Sequence, residues 1–328
     1  MPSILDEPPT AIRDELEDLR ELLDRQIPDK ALDQNLLIAT WNIRAFGRVT
    51  RKWQAGEDDS PKRDLHALRV IGEIVSRFDV IALQEVKGNL QALRDMLEWL
   101  GPAWGMVLTD VTKGDAGNGE RLAYLFDTRK IHMSGLAAEL VVPAEQLERG
   151  AIDPGALDRQ FARTPYAVSF RANRDTFILV ALHVLFGDDA SDREPELRAI
   201  AEWLADWARD VNAYDQNIIG LGDFNIDRAG DELFDAFVST GLQVPDDLHR
   251  VPRTLFADPA NPRRDKFYDQ IAWFTGTMDV PALSLRYNRG GFFDFTQVAL
   301  RDRGLSEQQL SWRVSDHYPL WVEFLLRR

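Results

Sequence analysis

The chain of 328 residues contains no cysteine, which excludes disulfides, thiolate metal sites and a cysteine nucleophile, and fits a reducing interior. No apolar run reaches the eighteen or so residues that a membrane span needs. The opening stretch MPSILDEPPT lacks the basic start and apolar segment of a secretory signal. A soluble, cytoplasmic protein is therefore expected. Positive charge is also in short supply, with 39 Lys and Arg against 54 Asp and Glu and a formal charge of −15. That surplus repels polyanions at long range and argues against tight non-specific nucleic-acid binding, so an anion site must come from local clusters. What the chain does have is bulk for a core: 45% hydrophobic residues, nine Trp and seventeen Phe, enough for one large domain or two ordinary ones.

Ile12, Leu16, Leu19, Leu23 and Ile27 recur at steps of three and four between charges, so the spacing predicts an amphipathic helix over 9–27 that lies against its own domain. Beyond Asp33 the pattern changes to short apolar runs. NLLIATW (35–41), DVIALQ (79–84), ERLAYLFD (120–127), PYAVSFRA (165–172), TFILVALH (176–183), NIIGLGD (217–223), FYDQIAWF (267–274) and YPLWVEFLL (318–326) read as strands. Several are apolar on consecutive residues, as expected of a sheet covered on both faces. Helical spacing fits 64–77, 88–100, 193–211 and 231–240. Strands and helices interleave throughout, which favours an α/β sandwich over 35–328 preceded by a helical extension, 1–34. The stretches 47–63, 110–119 and 256–266 read as loops.

Polar residues interrupt these strands unevenly. Asn42 follows the first, Glu85 the second, His183 ends the fifth, and Asp223 and Asn225 follow the sixth. Asp269 opens its strand, and Asp316 and His317 precede the last. If the last two strands run antiparallel to the others, all eight side chains reach one rim. The set is rich in oxygen ligands and suits Mg²⁺ or Mn²⁺ better than zinc. An ion held by Glu85, with help from Asn42 and Asp316, would polarise a phosphoryl oxygen. His317 beside Asp269 has the form of an oriented imidazole able to deprotonate water, and His183 is a second candidate. Alone, Gly-Asp-Phe-Asn reads as a turn and Ser315-Asp316-His317 as a cap; their joint occurrence in order at strand ends is what points to a site.

At these residues the chain resembles the endonuclease/exonuclease/phosphatase superfamily, and within it the pancreatic-type deoxyribonucleases most closely. LLIATWNIRAFG is similar to that family's opening strand, with its asparagine at Asn42, and DVIALQEVKG carries the metal-binding glutamate as Glu85. ERLAYLF makes Glu120 the partner of His183, and RTPYAVSF implicates Arg163 at the scissile phosphate. GLGDFNID, FYDQIAWF and VSDHYPLWVEF supply Asp223, Asn225, Asp269, Asp316 and His317. The resemblance implies a four-layer αββα sandwich of two mixed sheets and phosphoester hydrolysis. Lys87 stands where the family has an arginine that enters the DNA minor groove, the tyrosine that stacks there falls near Asn118, and FADPANPRRDK (256–266) does not look like a calcium-binding loop.

The superfamily spans nucleases, inositol-phosphate phosphatases and sphingomyelinases, so the catalytic set defines the reaction and not the substrate. Arg44, Arg48, Arg51 and Lys52 follow Asn42, with Trp53 available to stack on a base, and Arg263, Arg264 and Lys266 precede Asp269. These clusters favour a DNA endonuclease with little sequence preference, its phosphates held by Arg44, Lys87, Arg163, Arg48 and Arg51. The bland reading of these clusters is solvated charges paired with surplus acids; the alternative function is a phosphatase or phosphodiesterase acting on a small or lipid-derived phosphoester. No protein partner is indicated.

Overall fold

The computed structural model describes residues 1–112, 118–140, 163–184, 190–258, 260–261 and 265–327. Helix α1 (Thr10–Gln26) is followed by β1 (Asn35–Phe46), α2 (Leu65–Val75), β2 (Val80–Lys87), α3 (Gln91–Leu100), β3 (Trp104–Leu108), β4 (Glu120–Asp127) and β5 (Ile131–Glu139). Next come β6 (Tyr166–Ala172), β7 (Asp175–His183), α4 (Ala190–Arg209), β8 (Ile218–Asp223), α5 (Glu232–Val238) and β9 (Leu242–Gln243). The chain closes with β10 (Asp269–Phe274), β11 (Arg286–Phe292), α6 (Glu307–Ser311) and β12 (Leu320–Leu325). No described helix is long and apolar enough to cross a membrane.

Two mixed six-stranded sheets result, in the orders β11-β12-β1-β2-β4-β3 and β5-β6-β7-β8-β10-β9. Side chains alternate across a strand, and β1 divides its own between two cores. Leu36 and Ile38 join the layer between the sheets, while Leu37, Ala39 and Trp41 join the layer under the helices. This is why NLLIATW is apolar on consecutive residues. The outer face of the first sheet is covered by α1 and α2, with Ile12, Leu16, Leu19 and Leu23 buried in the same cluster as Val70 and Ile74. Leu197, Ala201, Leu204 and Phe237 bring α4 and α5 onto the second sheet. The αββα sandwich expected from the sequence is the observed fold.

Strand direction places the site. β1 runs parallel to β2, and β7 parallel to β8. β10 runs antiparallel to β8, and β12 antiparallel to β1. The ends of the first group and the beginnings of the second therefore share one rim.

Candidate active site

Local backbone at this rim departs from regular sheet. Between Leu83 and Val86, β2 carries one residue more than its partner β4, and β1 shifts register against β2 between Asn42 and Phe46. Such bulges re-aim side chains. Glu85 sits there at φ 58° and Ala45 at φ 46°, in the left-handed region that residues with a Cβ seldom occupy. Their strain is held by a bond from the Ala45 amide to Glu85 Oε2, 2.8 Å. On the second sheet Gly222 lies at φ 138°, and a Cβ there would meet the Leu182 carbonyl oxygen at 2.0 Å. Only glycine fits, so the Gly of GDFN lets β8 pass against β7 and deliver Asp223 beside His183.

Asn42, Glu85, Glu120, Arg163, His183, Asp223, Asn225 and His317 line one cleft of about 270 Å³, together with Asn118 and Tyr268. Asp269 is buried behind His317 and meets its Nδ1 at 2.6 Å. Asp223 is the centre: its Oδ2 accepts from Asn42 Nδ2 at 2.9 Å and lies 3.7 Å from His183 Nε2 and 4.0 Å from His317 Nε2. His183 turns Nδ1 toward Glu120 Oε2 at 3.4 Å. Each imidazole thus has a carboxylate at Nδ1 and presents Nε2 to the same third carboxylate, and each pair bridges the two sheets. Asn225, at φ 51°, donates its side-chain amide to the Val184 carbonyl at 2.6 Å and its backbone amide to Asp223 Oδ1 at 2.9 Å, fixing that carboxylate.

Electrostatics follow from this packing. Burial raises the Glu120 carboxyl, but His183, Arg163 and Lys87 outweigh it and hold Glu120 at about 2. Burial lowers His317, and the charge and hydrogen bond of Asp269, then Asp223 and Asp316, overcome it and raise His317 to about 10. Asp269 is pushed up to about 6, first by burial, against the pull of His317. These two tendencies conflict, since a neutral Asp269 would not support a charged imidazole. The 2.6 Å bond and the second carboxylate at 4.0 Å decide for ionised Asp269 with imidazolium His317.

Asp223, Asp269 and His317 each bring a possible ligand atom within 4.8 Å of the others, a group that could hold a metal ion. Asp269 and His317 already satisfy each other, however. Better candidates are Glu85 and Asn42, which line the cleft; Asn42 Oδ1 is buried without a hydrogen-bond partner, an oxygen free to ligate. Asp316 stands apart from the cleft lining and pairs with Arg44 at 3.2 Å. Lys87 and Arg163 both engage Glu120, at 2.7 and 2.8 Å. Arg51 is turned to Asp95, and Lys52 to Asp59. Arg48 is exposed, and Trp53 packs against the core. Lys266 pairs with Asp227, while Arg263 and Arg264 lie outside the described residues.

Three supporting residues were invisible from spacing. Ser315 donates to the Asn42 carbonyl at 2.6 Å and accepts from the His317 amide at 3.1 Å, linking the two loops. Buried Arg63 donates to the carbonyls of Arg44, Ala45, Arg313 and Val314, clamping the same loops. Tyr268 stacks on His317 with centroids 5.7 Å apart. An arginine whose partners are all backbone carbonyls leaves no trace in a sequence pattern.

A family model for the Endonuclease/Exonuclease/phosphatase family matches residues 39–317. A "Deoxyribonuclease" of Thioalkalivibrio sp. (strain K90mix) is 28% identical over 306 residues, covering 91% of this chain and 73% of that protein. Among solved structures, a mannosyl-6-phosphatase of Bacteroides thetaiotaomicron superposes with TM-score 0.56 at 18% identity, covering 88% of this chain and 99% of the other. D. rerio TDP2 complexed with a single-strand DNA product gives TM-score 0.57 at 13% identity, covering 89% and 99%. At such identities these structures establish the fold alone.

Proposed function

This chain belongs to the endonuclease/exonuclease/phosphatase family, and within it we propose a metal-dependent nuclease that hydrolyses DNA phosphodiester bonds with little sequence preference. One observation carries the reading: two carboxylate-oriented imidazoles, His183 with Glu120 and His317 with Asp269, converge on Asp223. A diester has an alkoxide leaving group, so its hydrolysis gains from both a proton acceptor for the attacking water and a proton donor for the departing oxygen. The bond from water oxygen to phosphorus forms as the bond to the leaving oxygen breaks. His317 and His183, oriented by Asp269 and Glu120, are assigned these two proton transfers, and Asp223, between them, the attacking water. Arg163 and Asn225 are assigned to the phosphate.

Enzymes of this family are metal-dependent. Here Glu85 and Asn42 would hold Mg²⁺ or Mn²⁺, and the bound ion would offset charge on the phosphoryl oxygens. We further take 35–328 as the catalytic domain, 1–34 as its helical extension, and the cytoplasm as its setting. The deoxyribonuclease relative at 28% identity supports DNA as substrate. A second reading, a phosphatase or phosphodiesterase for a small or lipid-derived phosphoester, is favoured by the pairing of Arg44, Arg51 and Lys52 with acids.

The test is incubation of the purified protein with supercoiled plasmid, oligonucleotides and a panel of phosphomonoesters, with Mg²⁺, Mn²⁺, Ca²⁺ or EDTA. Nicking of plasmid with Mg²⁺ or Mn²⁺, absent in EDTA and not restored by Ca²⁺ alone, is expected. Turnover of monoesters without attack on DNA selects the second reading, and hydrolysis in excess chelator removes the metal from the scheme.

A further inference from the structure

Of the nine tryptophans, Trp312 alone is strongly exposed, at 48%. The one expected to stack on a base, Trp53, is half-buried against the core. Trp312 follows α6, which opens with a capping box between Ser306 and Gln309. The turn that carries it is fixed by bonds from the Arg313 and Val314 amides to the Leu310 carbonyl, both 2.9 Å, and from Arg313 Nη1 to the Gln309 carbonyl, 2.7 Å. A large indole is thus held in solvent on a rigid support, where burial would ordinarily be favoured.

A charged companion is Arg44, whose guanidinium carbon lies 3.8 Å from the indole centroid. Arg44 is itself anchored, donating to Ser311 Oγ at 2.8 Å and pairing with Asp316 at 3.2 Å. Asp316 compensates its charge, which disfavours a phosphate at this spot and leaves the flat indole as the recognisable feature. Stack and cleft are mechanically continuous: Ser315 Oγ binds the Asn42 carbonyl and accepts from the amides of Arg44 and His317.

We infer that Trp312, braced by Arg44, is a stacking platform for a nucleobase beside the scissile phosphate, so that the preferred substrate presents an unpaired or splayed base at that position. The inference rests on the nucleolytic reading above and adds what selects the strand. Stacking on an indole tolerates any base, because every base has a π-face, and so gives affinity without sequence preference. Arg44 is then a positioning residue acting through the indole ring.

The experiment is steady-state cleavage of a single-stranded oligonucleotide, intact or carrying abasic positions throughout, by the wild type, Trp312→Ala and Trp312→Phe. For the intact strand Trp312→Ala should raise KM about tenfold or more, the equivalent of about 1.4 kcal/mol, with kcat falling less than about threefold. Trp312→Phe should restore most of that affinity, and the abasic strand should show one weak KM with all three proteins. In EDTA, binding of the intact oligonucleotide should quench a fluorescence component present in the wild type and missing in Trp312→Phe. A loss confined to kcat, or an equal rise in KM on intact and abasic strands, would assign Trp312 to loop structure and overturn the platform alone. An enzyme that turns over small phosphoesters and no oligonucleotide overturns the nucleolytic reading and the platform together.

Discussion

At the end of the first sheet remote from the cleft, Lys130 Nζ meets Asp79 Oδ2 at 2.7 Å with both side chains 1% exposed. The same cluster holds Lys30 against Asp127 at 2.8 Å and Asn35 against Glu323 at 2.7 Å. At the cleft end, Asp223, Asp269, Glu120, His183 and His317 are buried almost as deeply. Both ends of the sandwich therefore remove charged groups from water, yet they differ in what those groups face. In the remote cluster Asp79 and Asp127 each face a lysine that also binds backbone, Lys130 reaching the Ala31 carbonyl and Lys30 the Phe78 carbonyl, although Asp79 Oδ1 has no hydrogen-bond partner. At the cleft, Asn42 Oδ1 has no partner, and Asp223 is approached by two imidazoles without a hydrogen bond to either. Buried charge alone does not mark a reactive site. Carboxylates that face imidazoles able to exchange a proton do, because there the field of the protein has something left to act on.

The difference is sharpest in what a substitution removes. His317→Ala or Asp223→Ala should lower kcat by about four orders of magnitude, equivalent to roughly 5.5 kcal/mol of barrier, because groups acting as a unit lose their effect together. His317→Ala also leaves the Asp269 carboxylate buried without its partner and should lower the melting temperature, so kcat is compared per folded molecule. A variant with near-wild-type turnover would show that the convergence on Asp223 is structural, like the remote cluster.

Lys130→Met asks the converse question. It leaves the Asp79 carboxylate buried without its cation, and breaking a buried pair costs about 3–5 kcal/mol. Denaturant unfolding should report that loss, while kcat per folded molecule stays within about twofold. Adding Asp79→Asn to Lys130→Met should recover a large part of the stability, because it is the unpaired charge that destabilises. If activity fell in step with stability, the two ends of the sandwich would be coupled and the contrast between them would fail.

Legibility in the sequence follows the same division between closed and open surroundings. All eight strands read from apolar runs lie inside the sheets, and the four that were not read, β3, β5, β9 and β11, are the four sheet edges. An edge strand has one neighbour and often one wet face, so β11 (RYNRGGF) and β5 (IHMSGLAAE) show little of the apolar continuity that betrays a central strand. For the site, strand ends gave the residues that line the cleft, but not the state of their surroundings. Arg44 and Arg51 look like free cations in the chain and are paired in the fold, and Trp53, expected to be available for stacking, packs against the core. Pairing of surface charge depends on loops brought together from distant parts of the chain, such as Arg51 with Asp95, and no local pattern encodes it.

The smallest expected effect separates the two ends by pH. Asp127 is held below the usual carboxylate range: burial works to raise it, and the bonds from Arg129 and Lys30 more than reverse that. A carboxyl depressed in the fold contributes stability that is fully present above its unfolded pKa of about 3.9 and is lost as pH falls toward the folded value. Asp127→Asn should therefore lower stability at neutral pH and flatten its dependence on acid below about pH 4, with catalysis unchanged per folded molecule. Glu120 is likewise depressed, to about 2, so Glu120→Gln should flatten the same acid limb. It should also release His183 from its carboxylate and lower kcat, which Asp127→Asn should not. Thermal melts between pH 2 and 7 beside kcat at neutral pH supply both measurements. Matching acid limbs with a catalytic loss only at Glu120 would place the ends alike in stability and apart in chemistry; a catalytic loss at Asp127 would dissolve the distinction.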